Sequence, residues 1–230
     1  MSEEDGFDFG IIQDSLANSM GASIPNRSIG IISGGIGAGK SLICQRLAFG
    51  FVQNGAKVAY VTTELTTRGW LEQVASIGYD MDKRIDEGNF LLISSFGVIA
   101  EEIQEKISLT DILNSPGLLE AEIIIIDRAS QILSDETNAH SLLSQLRKFN
   151  SSGRTVLLTM DKEEVDSRLL RELKNSAEVV LDLETATIGG DTVRTIAVTR
   201  FLRAAGPTQG RIGWKVMPQM GFIVDITAVS

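Results

Sequence analysis

Gly34-Gly35-Ile36-Gly37-Ala38-Gly39-Lys40-Ser41 is the stretch that most narrows what this chain can fold into. It matches G-x-x-x-x-G-K-[ST], with Gly34, Gly39, Lys40 and Ser41 in the fixed places. A chain of this composition would produce that match by chance about 0.01 times. The pattern works only as a turn between a buried strand and a helix, and both flanks are present. Ser28-Ile29-Gly30-Ile31-Ile32 precedes it as a short apolar strand. After it, Leu42, Ile43, Leu47, Phe51 and Val52 recur near helical spacing until Asn54-Gly55. Glycines let backbone N–H groups turn inward around phosphate oxygens, where a Cβ would block the approach. A helix starting near Lys40 adds its unpaired N–H groups and the positive end of its dipole. The expected nucleotide cradle is therefore Gly34, Gly35, Ile36, Gly37, Ala38, Gly39, Lys40, Ser41 and Leu42. Lys40 is expected to reach the β- and γ-phosphates of ATP, and the Ser41 hydroxyl to ligate Mg²⁺.

Such a loop also needs a carboxylate at the end of a buried strand to hold the magnesium shell. Ile123-Ile124-Ile125-Ile126-Asp127 supplies Asp127, the expected second metal residue. Four isoleucines in a row suit a strand covered on both faces, as in a parallel sheet between helix layers. Further strands are expected at Lys57–Val61, Phe90–Ile93 and Thr155–Leu158. Helices are expected from Thr66 or Thr67 towards Ile77, and over Val98–Leu113, Thr137–Phe149 and Val165–Leu173. After Val179 strand-like segments follow one another, with turns at Gly189-Gly190-Asp191 and Pro218–Gly221. The reading is an α/β fold, with a mostly parallel central sheet flanked by helices and an antiparallel C-terminal β extension. Residues 1–25 read as a lead-in and residues 26–230 as one ATP-binding domain.

Glu64 follows the second strand, where it can orient or deprotonate an attacking water as the catalytic residue, or simply face solvent. Thr159 and Asp161 either sense the γ-phosphate or merely end their strand. Arg200 and Arg203 either reach a neighbouring subunit's phosphate or are solvated charges. Cys44 and His140 read as packing and surface residues, without metal-ligand partners at useful spacing.

Among 230 residues, 43% hydrophobic, there is no run of 18 apolar ones, so no membrane-spanning helix is expected. The acidic start Met1-Ser2-Glu3-Glu4-Asp5 is unlike a secretory signal, and a single cysteine permits no intrachain disulfide. A cytoplasmic protein is expected. The net charge of −9 argues against broad nucleic-acid binding, which needs clustered Lys and Arg.

The order of Gly34–Ser41, then Val61-Thr62-Thr63-Glu64-Leu65-Thr66, then Ile126-Asp127, then a β-rich tail resembles the KaiC-like branch of the RecA superfamily. Tyr60–Thr67 and Pro218–Val224 point to this branch, within which the chain most resembles the FlaH (ArlH) family, ATP-binding components of the archaellum motor. The resemblance spans roughly Ile24 to Ile226. It implies a homo-oligomer in a hexameric ring, held peripherally at the inner face of the cell membrane. The implied partners are the archaellum motor ATPase and the membrane platform protein. Two departures stand out. KaiC proteins usually carry two adjacent glutamates after the second strand; Glu64 matches the first, and Leu65 stands where the second belongs. That favours ATP bound with slow or no hydrolysis, in a regulatory or assembly role. Arg128 follows Asp127 where many relatives have serine. Two other functions share the loop: a RecA-like DNA-repair or recombination ATPase, and a signalling ATPase that autophosphorylates on Thr62, Thr63 or Thr66.

Overall fold

Strands and helices alternate along the chain as the apolar runs foretell. The structure, a computed structural model, describes residues 6–95, 108–118, 120–133, 137–188 and 190–225. The strands are β1 (Gly6–Asp8), β2 (Ser23–Pro25), β3 (Ile29–Gly34), β4 (Val58–Thr62), β5 (Phe90–Ser94), β6 (Ile123–Asp127), β7 (Thr155–Asp161), β8 (Val179–Ile188), β9 (Asp191–Phe201), β10 (Arg211–Met217) and β11 (Gly221–Val224). The helices are α1 (Leu16–Ser19), α2 (Lys40–Gln53), α3 (Thr67–Ser76), α4 (Asp82–Asp86), α5 (Leu109–Asn114), α6 (Ala139–Asn150) and α7 (Ser167–Ser176).

Nine strands form one sheet in the order β11-β10-β9-β8-β3-β7-β6-β4-β5. From β8 to β5 all neighbours are parallel, and β9 to β11 add on antiparallel. The expected β extension is thus present, but it begins at β9; β8 still runs parallel to β3. The isoleucine run divides between the two faces. Ile123 and Ile125 join the apolar cluster containing α2 and α3, and Ile124 and Ile126 join the one containing α5, α6 and α7. Each face of β6 is therefore dry, which is why its sequence shows no polar alternation.

Helix starts follow their caps. Thr66 accepts a hydrogen bond from the Gly69 N–H, Asn138 from His140 and Ser141, and Asp166 from Arg168 and Leu169. The first part of the helix expected over Val98–Leu113 lies outside the described residues. The described part, α5, starts at a Ser108/Asp111 capping box.

Residues 6–25, expected as a lead-in, lie against α2. β1 and β2 pair antiparallel, and Phe9, Leu16, Met20 and Ile24 are fully buried. The fit over α2 is close enough that a Cβ on Gly50 would sit 2.3 Å from the Phe9 carbonyl oxygen. Among the described residues no helix is long and apolar enough to cross a membrane.

Candidate functional site

Every parallel strand delivers its C-terminal end to the same edge of the sheet. Register aligns Gly34 of β3 with Asp161 of β7, and Thr62 of β4 with Asp127 of β6. The glycine-rich loop leaves β3 at this edge and enters α2. Gly39, just before α2, has φ +90, a left-handed conformation that costs glycine little. A Cβ there would also lie 2.3 Å from the Trp214 ring, so β10 braces the loop from the side. Trp214 in turn stacks on Phe222 at 5.1 Å. Nothing in the spacing of residues announced that brace.

Lys40 opens α2 and folds back over the loop. Its ammonium donates to the carbonyl oxygens of Gly34 and Gly35, at 3.0 and 2.9 Å, and to Asp161 Oδ2 at 2.9 Å. Burial works to raise the Asp161 carboxyl, but the Glu163 N–H and Lys40 outweigh it and hold the group below the ordinary carboxylate range. Asp161 is thus the counter-ion of the loop lysine, a role that strand-end position alone did not assign.

Asp127 is 2% exposed, and hydroxyls occupy both of its oxygens. Tyr60 donates to Oδ2 at 2.8 Å and Thr159 to Oδ1 at 3.0 Å. Burial pushes its carboxyl above the usual range; the Tyr60, Ser41 and Thr159 hydroxyls act against that, and the Glu64 charge adds to it. Cys44, wholly buried beneath, has its thiol pushed well up by burial and then by the Asp127 charge, which leaves it an inert packing residue. His140 is exposed at the start of α6.

Glu64 sits across the loop from Lys40. Its Oε2 accepts from the Ser41 hydroxyl at 3.1 Å, and its Oε1 from the Arg128 guanidinium at 3.0 Å. Leu65, at the position of the second family glutamate, packs its side chain against the core cluster on the α2 face, while its carbonyl accepts from Ser94. The three threonine hydroxyls considered as phosphate acceptors are all engaged in holding this turn. Thr62, fully buried, accepts from the Glu64 and Leu65 N–H groups; Thr63 donates to the Asp127 and Arg128 carbonyls; Thr66 caps α3.

The site is therefore a turn at a helix start, the Lys40 ammonium, the Ser41 hydroxyl and three carboxylates, Asp127 and Asp161 buried and Glu64 exposed. Such a set can hold a polyphosphate and its magnesium. Among the described residues no cluster of three or more His, Cys, Asp or Glu side chains could form a metal cage. A hydroxyl and a carboxylate beside a phosphate cradle instead suit Mg²⁺, which keeps several waters. Since both Asp127 oxygens already have partners, that carboxylate fits the metal's water shell.

Arg200 and Arg203 do not come to this edge. Phe201 pairs with Val179 at the start of β8, so both arginines lie at the opposite end of the sheet from the loop. Arg200 donates to the Asn175 carbonyl and Arg203 to the Asn26 carbonyl.

The family model described as "ATPase: KaiC" matches residues 7–219. The chain belongs to the KaiC family of ATPases. Within this family it is similar to the archaeal flagellar ATP-binding protein FlaH of Methanocaldococcus jannaschii, 30% identical over 95% of both chains. It is 26% identical to FlaH of Sulfolobus acidocaldarius, over 94% of this chain and 96% of that protein. The crystal structure of the flagellar accessory protein FlaH from M. jannaschii matches with a TM-score of 0.87 at 29% identity, covering 96% of this chain and 99% of that one. The fold, with its parallel sheet and antiparallel C-terminal strands, is thus shared with that FlaH structure over 96% of this chain.

Proposed function

We propose that this chain is an ATP-binding regulatory and assembly component of the archaellum motor, which binds MgATP with slow or no hydrolysis. The observation that carries the reading is the Lys40 ammonium, folded over the loop between two carbonyls and Asp161 at the start of α2. A β,γ-diphosphate offers that ammonium stronger acceptors than carbonyl oxygens. The FlaH names of its relatives supply the archaellum as the setting.

In this reading the N–H groups from Gly35 to Leu42 would surround the phosphates, Lys40 would neutralise the β- and γ-oxygens, and Ser41 and Asp127 would hold magnesium and its waters. The metal supplies charge neutralisation on the transferring phosphoryl group. Glu64 takes the proton of a water whose oxygen bonds to the γ-phosphorus. The bond to the β–γ bridging oxygen breaks, and ADP leaves with that electron pair. Leu65, packed in the core, offers no second carboxylate for this work, so turnover falls well below the common enzymatic rate of about 10 s⁻¹. Phosphate release by wild type and Glu64→Gln checks this: Glu64→Gln lowers turnover with little change in ATP affinity. Rapid steady-state release by the wild type contradicts the slow-hydrolysis reading.

The hexameric ring, the cytoplasmic face of the membrane, the motor ATPase and the platform protein belong to the same proposal. Arg200 and Arg203 lie far from their own loop, so only a neighbour's nucleotide is open to them. If they serve it, ATP shifts the mass measured by light scattering towards the ring more than ADP does, and Arg200→Ala or Arg203→Ala weakens the shift.

A further inference from the structure

Arg128 sits in the left-handed region at φ +59, ψ +48, a conformation that costs a residue with a Cβ roughly 1–2 kcal/mol. Its peptide group is pinned on both sides. The N–H donates to Thr159 Oγ1 at 2.5 Å, and the carbonyl accepts from Thr63 Oγ1 at 3.4 Å. This unfavourable backbone aims the guanidinium across the site edge, where it bridges two carboxylates. One is Glu64, at 3.0 Å; the other is Glu164, which also accepts from Ser130 at 2.7 Å. Glu164 is held below its ordinary range first by its hydrogen bond from Arg128.

Glu64 is thus tethered through both oxygens, Oε2 by Ser41 and Oε1 by Arg128. The two tethers differ in kind. The Ser41 hydroxyl is the group that magnesium claims, so loading the site removes that bond. The guanidinium is not a group that magnesium takes, and its second arm is anchored on Glu164.

We infer that Arg128 is a positioning residue that holds Glu64 out of its water-activating orientation, so that hydrolysis waits on release of the guanidinium. This rests on the reading of Glu64 as the group that activates water. It adds a second reason for slow turnover, independent of Leu65. It also accounts for the unusual residue after Asp127, which makes the site one that keeps ATP rather than consumes it.

The test compares single-turnover phosphate release and ATP affinity in wild type, Arg128→Asn, Arg128→Lys, Glu64→Gln and the double variant Arg128→Asn/Glu64→Gln. Asparagine tolerates the left-handed backbone and is too short to reach Glu64. Arg128→Gly, equally at ease there, serves as a second variant if the first does not fold. Arg128→Asn raises the hydrolysis rate constant about tenfold, a part of the roughly 10²–10⁴-fold that a well-placed general base contributes. ATP affinity stays within about threefold, since Arg128 acts on Glu64 and not on the phosphates. Arg128→Lys keeps a cation at the position and lies nearer wild type. In the Glu64→Gln background the Arg128 substitution changes nothing, the coupling expected of two residues acting as one unit. An unchanged or lower rate in Arg128→Asn with affinity intact overturns the inference, the lower rate showing that the guanidinium serves the nucleotide. If Glu64→Gln by itself hydrolyses like wild type, it is the reading of Glu64 that falls.

Discussion

Two cations on α2, Lys40 in its first turn and Arg46 midway along, have opposite fates. Arg46 is fully buried and grips Asp14 with two parallel hydrogen bonds of 2.6 and 2.7 Å, then donates a third to the Phe9 carbonyl at 2.8 Å. Both side chains of that pair are 0% exposed. Lys40 and Asp161 retain 12% and 5% exposure at the open edge of the sheet. A planar guanidinium matched to a carboxylate inside a dry strap is a permanent fastening. A flexible ammonium at the rim, resting on carbonyls and one carboxylate, is a charge that can be handed to another acceptor. Burial and geometry, not charge, separate the structural end of the helix from the working one.

The comparison breaks most visibly at Arg46. Arg46→Met leaves the buried Asp14 without its countercharge, with only the Leu16 N–H still donating to it, and is expected to cost about 3–5 kcal/mol in denaturant unfolding. Arg46→Met combined with Asp14→Leu recovers part of that loss, because apolar residues of similar volume can replace a buried ion pair; the Phe9 carbonyl then lacks its donor and the Leu16 N–H its acceptor. If the single and double variants are equally unstable, the pair is not what fastens residues 6–25 to α2. At the other end, Lys40→Ala is expected to lower ATP affinity at least about 100-fold, or roughly 3 kcal/mol, at a stability cost of only about 1 kcal/mol. Titration with a fluorescent ATP analogue and a thermal melt on the same sample give both numbers. Equal affinity in the two proteins removes the phosphate assignment.

Tyr79 reports on the buried end by pH. Its hydroxyl accepts from the Phe222 N–H, and burial raises it to about 12, with the nearby Arg46 charge pulling down and Asp14 pushing up. Above pH 10 the unfolded chain loses this proton while the folded one keeps it, so the unfolded state binds fewer protons and stability falls as pH rises. Up to about 3 kcal/mol goes between pH 10 and 12. Tyr79→Phe removes the Tyr79 share of that decline; an unchanged alkaline profile in the variant shows the group is not responsible. The smallest effect is expected at Asp161→Asn. The two donors use different oxygens, Glu163 N–H on Oδ1 and Lys40 on Oδ2. The amide keeps one acceptor oxygen for the Glu163 N–H and no longer holds Lys40 as an anion, so ATP binds about threefold to tenfold tighter at a small stability cost. Weaker binding instead makes Asp161 a contributor to the nucleotide site.

Much of the working end was legible in order along the chain. The loop, the helix after it, a threonine cap at Thr66 or Thr67, Asp127 at the end of an isoleucine strand and the switch to successive strands after Val179 all follow from local pattern. The fastening end was not. Leu16, Met20 and Ile24 stand four apart, a helical spacing, yet only Leu16–Ser19 is helix and Ile24 lies in β2. Local pattern therefore does not place this segment, and residues 6–25 read as a lead-in although they carry the buried partner of Arg46. α4, only five residues long, has no buried face to mark it. β7 was expected to stop at Leu158, because Thr159 and Asp161 look like the polar residues of a strand end. Both are buried, and both belong to the strand.

From its sequence alone this chain determined a phosphate-type loop, a parallel α/β core and the residue types gathered at one sheet edge, because strand and helix periods and glycine conformations are local properties. Only the tertiary structure decided that β7 lies between β3 and β6. That order places Asp161 against Lys40 and Thr159 against both Asp127 and the Arg128 backbone. Sheet order depends on which strands bury which faces together, and residues more than a hundred positions apart in the chain carry no mark of it in their own neighbourhoods. The Arg128 bridge from Glu64 to Glu164 arises the same way: three charged residues on three separate connections meet because their strands end side by side.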